Sequence, residues 1–185
     1  MLTLTKFISK GATRICFEHP VDAMKCVKVA IRFSDSYLLE KEIKTYLSIR
    51  YYVGEYLPKY DLTLVDTTCG KGIVSQLLRD DNGEYSKSLE YYVRKKQITE
   101  NLKIQILGFT YNLVEHDIFF YDFNLRNFVV QIKRGESRLY YIDLKSFDSY
   151  KPWTFLHLEK ISNTIARRIM AHRLKRLLMM IGIID

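Results

Sequence analysis

A chain of 185 residues with 48% apolar and 27% charged residues is long enough to bury a core and has the balance of a folded globular protein, which excludes disorder as its ground state. Its apolar runs are a few residues long, far below the roughly 20 that span a bilayer, and Met1 to Lys6 lacks the charged-then-apolar pattern of a secretory signal, so the expected location is cytoplasmic with no transmembrane segment. A formal net charge of +8 favours anionic partners (nucleotides, phosphorylated molecules, nucleic acid, acidic lipid) without choosing among them.

Residues 4 to 33 alternate apolar segments with turn signals, as short antiparallel strands do. Leu4 to Ser9, Arg14 to Phe17 and Lys25 to Phe33 are the predicted strands, separated by turns at Lys10-Gly11-Ala12-Thr13 and His19-Pro20-Val21-Asp22. Ser34-Asp35-Ser36 offers N-cap chemistry, and Leu38, Leu39, Glu42, Ile43, Tyr46, Leu47 and Arg50 recur at helical spacing, predicting a helix of about four turns that ends before Gly54. A strand pair follows, Lys59 to Val65 and Gly72 to Leu78, around a turn at Asp66 to Lys71. The polar run Arg79-Asp80-Asp81-Asn82-Gly83-Glu84 marks a hinge or lobe boundary.

Beyond it the period becomes helical. Leu102, Ile106, Phe109 and Leu113 share one stripe, with Gly108 either weakening the helix or allowing close packing. After His116, read as a helix C-terminal histidine favoured by the dipole, come a loop, a strand Phe128 to Lys133, a turn at Gly135 and a strand Leu139 to Asp143. A basic amphipathic helix from Phe155 to Ile181 closes the chain, with Leu158, Ile161, Ile165, Ile169, Leu174 and Leu177 as its buried side and Trp153 beside Pro152 anchoring its start. Cys16, Cys26 and Cys69 include no CxxC pair and no His at metal-ligand spacing, and read as reduced, buried thiols.

Phosphoryl transfer needs a cation for phosphates, oxygen ligands for Mg²⁺ and a carboxylate near the attacking hydroxyl. Lys28, in Cys26-Val27-Lys28-Val29-Ala30, points to the face of Cys26 and Ala30, and a lysine bracketed by apolar residues calls for a partner. Glu42, on the apolar side of the following helix, supplies it. Glu40 competes for the role but lies about 200° around the helix from Glu42. Asp122, Asn127 five positions later, and Asp143 make the second group: a loop carboxylate that can accept a hydroxyl proton, and two hard oxygen ligands suited to Mg²⁺.

The stretches Lys10 to Val29 (with Arg14-Ile15-Cys16-Phe17-Glu18-His19-Pro20-Val21-Asp22 and Lys25-Cys26-Val27-Lys28), Glu42 to Tyr46, Leu57-Pro58-Lys59-Tyr60 and Thr68 to Val74 resemble the YrbL family. That bacterial family is linked to the PhoP regulatory network and is similar to protein-kinase-like folds; the resemblance runs more weakly through Asn127 and Asp143. It implies a phosphate-covering loop at Gly11, a phosphate-binding lysine at Lys28 with Glu42 as its helix partner, and an adenine-holding hinge at Gln76 to Leu78. It further implies a catalytic Asp122 and metal ligands at Asn127 and Asp143. Departures from the kinase pattern are clear. One glycine, Gly11, stands in place of GxGxxG, Phe120-Tyr121-Asp122 in place of His-Arg-Asp, Asp143-Leu144-Lys145 in place of Asp-Phe-Gly, and Asn124 where many kinases have a lysine. The short segment after Asp143 leaves no room for a full helical platform, which turns expectation from protein substrates to small or sugar-like ones.

The expectation is therefore an α+β, protein-kinase-like two-lobed fold. Residues 1–79 would form a five-stranded antiparallel N-lobe with one helix, and residues 80–185 a reduced, mainly helical C-lobe. The leading function is an ATP- and Mg²⁺-dependent phosphotransferase acting on an unknown phosphoacceptor. The alternative is a regulatory or binding module of the same fold that catalyses weakly or not at all. The 14 tyrosines and 10 phenylalanines, paired at Tyr51-Tyr52, Tyr91-Tyr92 and Tyr140-Tyr141, read as core and interface packing more than as a nucleic-acid platform. The basic face of the last helix, with Arg167, Arg168, His172, Arg173, Lys175 and Arg176, reads as solvated or as a contact for an acidic partner.

Overall fold

The computed structural model describes residues 1–32, 34, 36–120, 122–144 and 159–184, the side chains of 159–166 excepted. Five strands, β1 (Phe7–Lys10), β2 (Arg14–Glu18), β3 (Lys25–Ala30), β4 (Tyr60–Thr67) and β5 (Gly70–Gln76), form one antiparallel sheet in the order β1-β2-β3-β5-β4. Alternation along β3 divides its side chains between two environments. Val27 and Val29 pack with Val74 and Leu4 on the outer face, while Lys28 and its register partner Ile73 turn inward, toward helix α1 (Tyr37–Val53). Gly72 lets β5 approach β3: a Cβ there would stand 2.7 Å from Val27 Cγ1.

Helix α1 buries Leu39, Glu42, Thr45, Ile49 and Val53. It runs into a second layer made of α2 (Leu89–Arg94), α3 (Glu100–Glu115) and a three-stranded sheet of β6 (Lys87–Ser88), β7 (Phe128–Lys133) and β8 (Glu136–Tyr141) in that order. Thr99 caps α3 by accepting a hydrogen bond from the Leu102 N–H (3.2 Å), and Leu102, Ile106, Phe109 and Leu113 are all buried on one stripe. Phe109 centres the core. Its ring meets Tyr56, Phe120 and Phe128 edge-on at 5.5–5.9 Å and stacks on Tyr141 at 6.0 Å. Gly108 is there for close packing, since a Cβ would meet the Tyr56 hydroxyl at 2.5 Å. Helix α4 (Glu159–Met180) adds Met170, Leu177 and, just past its end, Ile181 to the same core.

The expected α+β character, the five-stranded sheet, the first helix and the α3 stripe are all present, with corrections at particular places. The first strand begins at Phe7, not Leu4. Leu2 bridges Thr67 and the Leu4 N–H donates to the Thr68 hydroxyl (3.1 Å), which takes the first residues away from β2 to the end of β4. Ser36 occupies the N-cap of α1 but its side chain makes no capping bond. Cys69 is exposed, unlike the buried thiol expected, because it sits in the β4–β5 turn. Tyr51 is 81% exposed, so the tyrosine pairs are not uniformly core. Helix α2 and strand β6 were not foreseen: six and two residues are too short for a periodic signal, and β6 exists through its pairing with Val129 and Val130. Gly135 does make the β7–β8 turn, with Arg134 (φ 53°) and Gly135 (φ 77°) as its two left-handed residues. Phe33, Asp35, Tyr121, Lys145, Pro152, Trp153, Phe155, Leu158 and the side chains of Ile161 and Ile165, named in the sequence reading, lie outside the described residues. Among the described residues no helix is long and apolar enough to cross a membrane.

Because the Phe109 ring joins both layers, Phe109→Ala is expected to cost about 3–5 kcal/mol in urea denaturation and to remove both layers in one transition. Separate transitions for the two halves would show that the layers fold independently.

Candidate functional site

Lys28 and Glu42 meet where the inner face of the sheet faces α1. Lys28 Nζ donates to Glu42 Oε1 (2.9 Å), to the Tyr60 hydroxyl (2.8 Å) and to the Ile142 carbonyl (3.1 Å). The Tyr60 hydroxyl in turn donates to Glu42 Oε1 (2.7 Å). Glu42 is fully buried, whereas Glu40, two residues earlier on the other side of the helix, is exposed. A second cation joins them: Arg14, on β2, is ion-paired with Glu42 through one guanidinium nitrogen and with Asp143 Oδ1 (2.7 Å) through the other. Two cations and two carboxylates thus balance in a low-dielectric wall, the condition under which buried charges persist. Burial, and next the charge of Arg14, lowers the Lys28 ammonium to about 8, and burial raises the Tyr60 phenol well above its ordinary range.

Asp122 precedes and Asn127 ends a short 3₁₀ turn, Leu125–Asn127, that the loop side chains build. Asp122 Oδ1 accepts from the Asn124 N–H (3.2 Å), Asn124 Oδ1 from the Arg126 N–H (3.0 Å), and Asp122 Oδ2 from Asn127 Nδ2 (2.8 Å). Short polar side chains bonding to backbone two residues on are what this spacing favours. The Asn127 carbonyl then accepts from the Ile142 N–H (2.9 Å), which sets Asp143, the next residue, beside the loop. Since the amide nitrogen of Asn127 is committed to Asp122, its amide oxygen is the atom left to serve a cation. One amide oxygen and one carboxylate make a hard donor set of the kind that holds Mg²⁺ together with phosphate oxygens. Among the described residues no group of three or more His, Cys, Asp or Glu could hold a metal by itself.

A cavity of about 210 Å³ opens beside this wall, between Ile8, Cys16 and Lys28 on the first sheet and Leu78, Val129 and Ile142 below. Gln76, Leu77 and Leu78 line it. The Gln76 N–H donates to Lys59 and the Leu77 N–H to Met24, while the Leu78 carbonyl accepts from Ser86; among the described residues the Leu77 carbonyl and the Leu78 N–H make no hydrogen bond. The Gln76 side-chain oxygen is turned away to the Lys59 N–H (3.2 Å). Gly11 stands apart from these lining residues, at the tip of the β1–β2 hairpin, with its N–H donated to the Arg14 carbonyl (2.8 Å). Cys16 and Cys26 both face the cavity. Both thiols are free; the neighbouring Cys16 thiol lowers Cys26 to about 6 and is itself raised by Cys26 and by burial.

The family described as PhoP regulatory network protein YrbL matches residues 1–181 of this chain. The chain belongs to the YrbL family. It is 30% identical over 101 residues to the uncharacterized protein YrbL of Escherichia coli (strain K12), over 51% of this chain and 47% of that protein, and equally so to YrbL of Shigella flexneri. The chain spans about half the length of the curated relatives it matches.

In this YrbL-family chain the structure links five sequence-predicted residues around Ile142: Lys28, bonded to Glu42, reaches its carbonyl, Asn127, bonded to Asp122, accepts from its N–H, and Asp143 follows it; Gln76 and Leu78 line the cavity that Lys28 and Ile142 also line. Two contributors were missed. Arg14 and Tyr60 stand within the YrbL-like motifs, yet neither received a role. The available signal for Arg14 was alternation: it sits on β2 in register with Ala30, two residues along from Cys16, which pairs with Lys28. A second cavity, of about 440 Å³, lies under the loop and is lined by Phe123, Asn124, Leu125, Glu90, Arg173 and Arg176. Part of the basic helix face is therefore applied to the Asp122 loop, while Arg167 pairs with Asp117 (2.7 Å) at the surface.

Removing Glu42 leaves two buried cations facing each other, so Glu42→Ala is expected to cost about 3–5 kcal/mol in urea denaturation, against about 0.5 kcal/mol or less for Glu40→Ala. Equal costs would refute the central place given to Glu42.

Proposed function

We propose that this protein is a phosphotransferase that binds ATP with Mg²⁺ in the cleft between the five-stranded sheet and the Asp122 loop, on a protein-kinase-like two-lobed plan. The observation that carries this reading is the convergence of Lys28–Glu42 with Asp122, Asn127 and Asp143, residues up to 115 positions apart in the chain. Leu77 and Leu78 would offer a carbonyl and an N–H to the adenine edge, and Val129 and Ile142 an apolar floor. Lys28 would meet the phosphates as a point charge steered by Glu42. Asn127 and Asp143 would hold the metal, which when bound neutralises phosphate charge. Asp122, held at both carboxylate oxygens by Asn124 and Asn127, would orient the acceptor hydroxyl and take its proton.

The cavity under the loop suits the acceptor side. At about 440 Å³ it is the size of a small-molecule pocket, and Arg176 in its lining favours an acceptor that carries a negative group, such as a sugar phosphate or a hydroxy acid. One observation favours the non-catalytic alternative: Gly11 keeps its N–H within its own hairpin, so the backbone cradle that covers phosphates in kinases has no counterpart at that position.

Two measurements decide between these readings. In a thermal-shift titration, ATP should raise the melting temperature only with Mg²⁺, and Asp143→Asn should abolish the rise. Slow ATP turnover should then vanish in Asp122→Ala while binding persists. No shift at millimolar nucleotide would end the nucleotide reading, and binding without turnover would leave the regulatory one.

The pH dependence follows from Lys28. Its pKa of about 8 lies below the unfolded value near 10.4, so above pH 8 the native cleft sheds a proton that the unfolded chain still holds. Folding stability should rise across that window while ATP affinity falls, by up to about ten-fold per pH unit. Lys28→Met should flatten both profiles; an ATP affinity that does not change between pH 7 and 10 would contradict the role given to Lys28.

A further inference from the structure

Arg14 is placed where it has to be dealt with before a metal can enter. Its guanidinium pairs with Glu42 by one nitrogen and with Asp143 Oδ1 by the other, and only 11% of its side chain is exposed. Glu42 has further partners in Lys28 and Tyr60. Asp143, by contrast, has one carboxylate oxygen, Oδ1, on the guanidinium, so a divalent cation at Asp143 and Asn127 would share that carboxylate with Arg14 or displace Arg14 from it. A guanidinium and a divalent cation on one carboxylate repel strongly at low dielectric. Arginine also carries its charge at every accessible pH, so proton loss cannot relieve that repulsion.

We infer that Arg14 is the resident cation of the metal position, exchanged for the divalent cation when the nucleotide binds. The geometry permits the exchange without stranding a charge. Glu42 keeps one guanidinium nitrogen, and the edge released from Asp143 turns toward the phosphate chain, because β2 forms the cleft wall beside Lys28. Arg14 then supplies from a side chain part of what the Gly11 hairpin does not supply from its backbone: donors to phosphate oxygens. The inference rests on the nucleotide reading above and deepens it. It names a phosphate-contacting residue and makes metal and guanidinium competitors for Asp143.

The prediction has two arms of opposite sign. Mn²⁺ affinity of the nucleotide-free protein is read from the paramagnetic resonance signal of free Mn²⁺; affinity for the non-hydrolysable analogue AMP-PNP without metal is read by calorimetry. Arg14→Gln should bind Mn²⁺ about ten-fold more tightly and metal-free AMP-PNP about ten-fold more weakly. Arg14→Lys keeps a charge for Glu42 but loses the planar fork whose two nitrogens reach both carboxylates, so it should also bind Mn²⁺ more tightly, and it decides the matter if the glutamine variant does not fold. Lys10→Gln removes a charge from the exposed end of the neighbouring strand and should change either affinity by no more than about two-fold. If Mn²⁺ affinity is unchanged or lower in the folded Arg14 variants while AMP-PNP still binds, the exchange is wrong and the nucleotide reading stands. Equal effects from Lys10→Gln would reduce Arg14 to general electrostatics and overturn its specific role. If AMP-PNP binds none of these proteins, with or without Mn²⁺, both readings fall together.

Discussion

The carboxylate of Glu42, removed completely from water, is the constraint on which the rest of this structure depends. An ion in that position is tolerated only with charge-assisted partners on all sides, and three elements have to converge to provide them: β3 with Lys28, β2 with Arg14 and β4 with Tyr60. Those bonds fix the height and rotation of α1 against the sheet, because a helix turned by one residue would present Glu42 elsewhere. The same cations then look past the helix. Lys28 reaches the Ile142 carbonyl and Arg14 reaches Asp143, so the first sheet is bound electrostatically to the strand end that follows the second.

Other links run in parallel. Asp80, in the run expected to act as a hinge, accepts from the Ile132 N–H (2.9 Å) and the Ser86 hydroxyl (2.6 Å), and Arg79 pairs with Glu18 (2.7 Å) while donating to the Ala23 and Gly83 carbonyls. The bond from the Tyr85 hydroxyl, and next that from Arg79, holds the Glu18 carboxyl below its usual range. The polar segment therefore joins β2 to β7 by side-chain bonds. Its Asp, Asn and Gly residues shape the crossing, and its charged ends secure it.

What the sequence discloses follows from the range of the forces involved. The α3 stripe, the β7–β8 hairpin and the alternation in β3 are local patterns of burial, and Leu102 to Leu113 or Val27 and Val29 are legible because a period of 3.6 or 2 is written in a few neighbouring residues. The partner of Lys28 could also be named, since only one glutamate of α1 lies on its apolar side. Arg14 was not legible as a member of the site. Its two partners lie 28 and 129 residues away, and an arginine on a short strand beside a turn looks from sequence like an ordinary surface residue. Tyr60 was lost the same way, as a strand residue whose hydroxyl matters only once α1 is in place. Strand β6 is two residues long and is defined wholly by its neighbour.

On the nucleotide reading proposed above, the arrangement bears on how far such a site can depart from the kinase sequence pattern. A glycine-rich loop works because several backbone N–H groups can close on phosphate where no Cβ intervenes. Here the single glycine of the β1–β2 turn spends its N–H on its own hairpin, and the residue three positions later places a guanidinium between Glu42 and Asp143. An arginine fork offers several donors from one side chain and needs no special backbone conformation. It can replace glycine-loop donors only if something holds it in the cleft. Glu42 holds Arg14 in place, and Asp143, the second carboxylate on the guanidinium, balances the second cation.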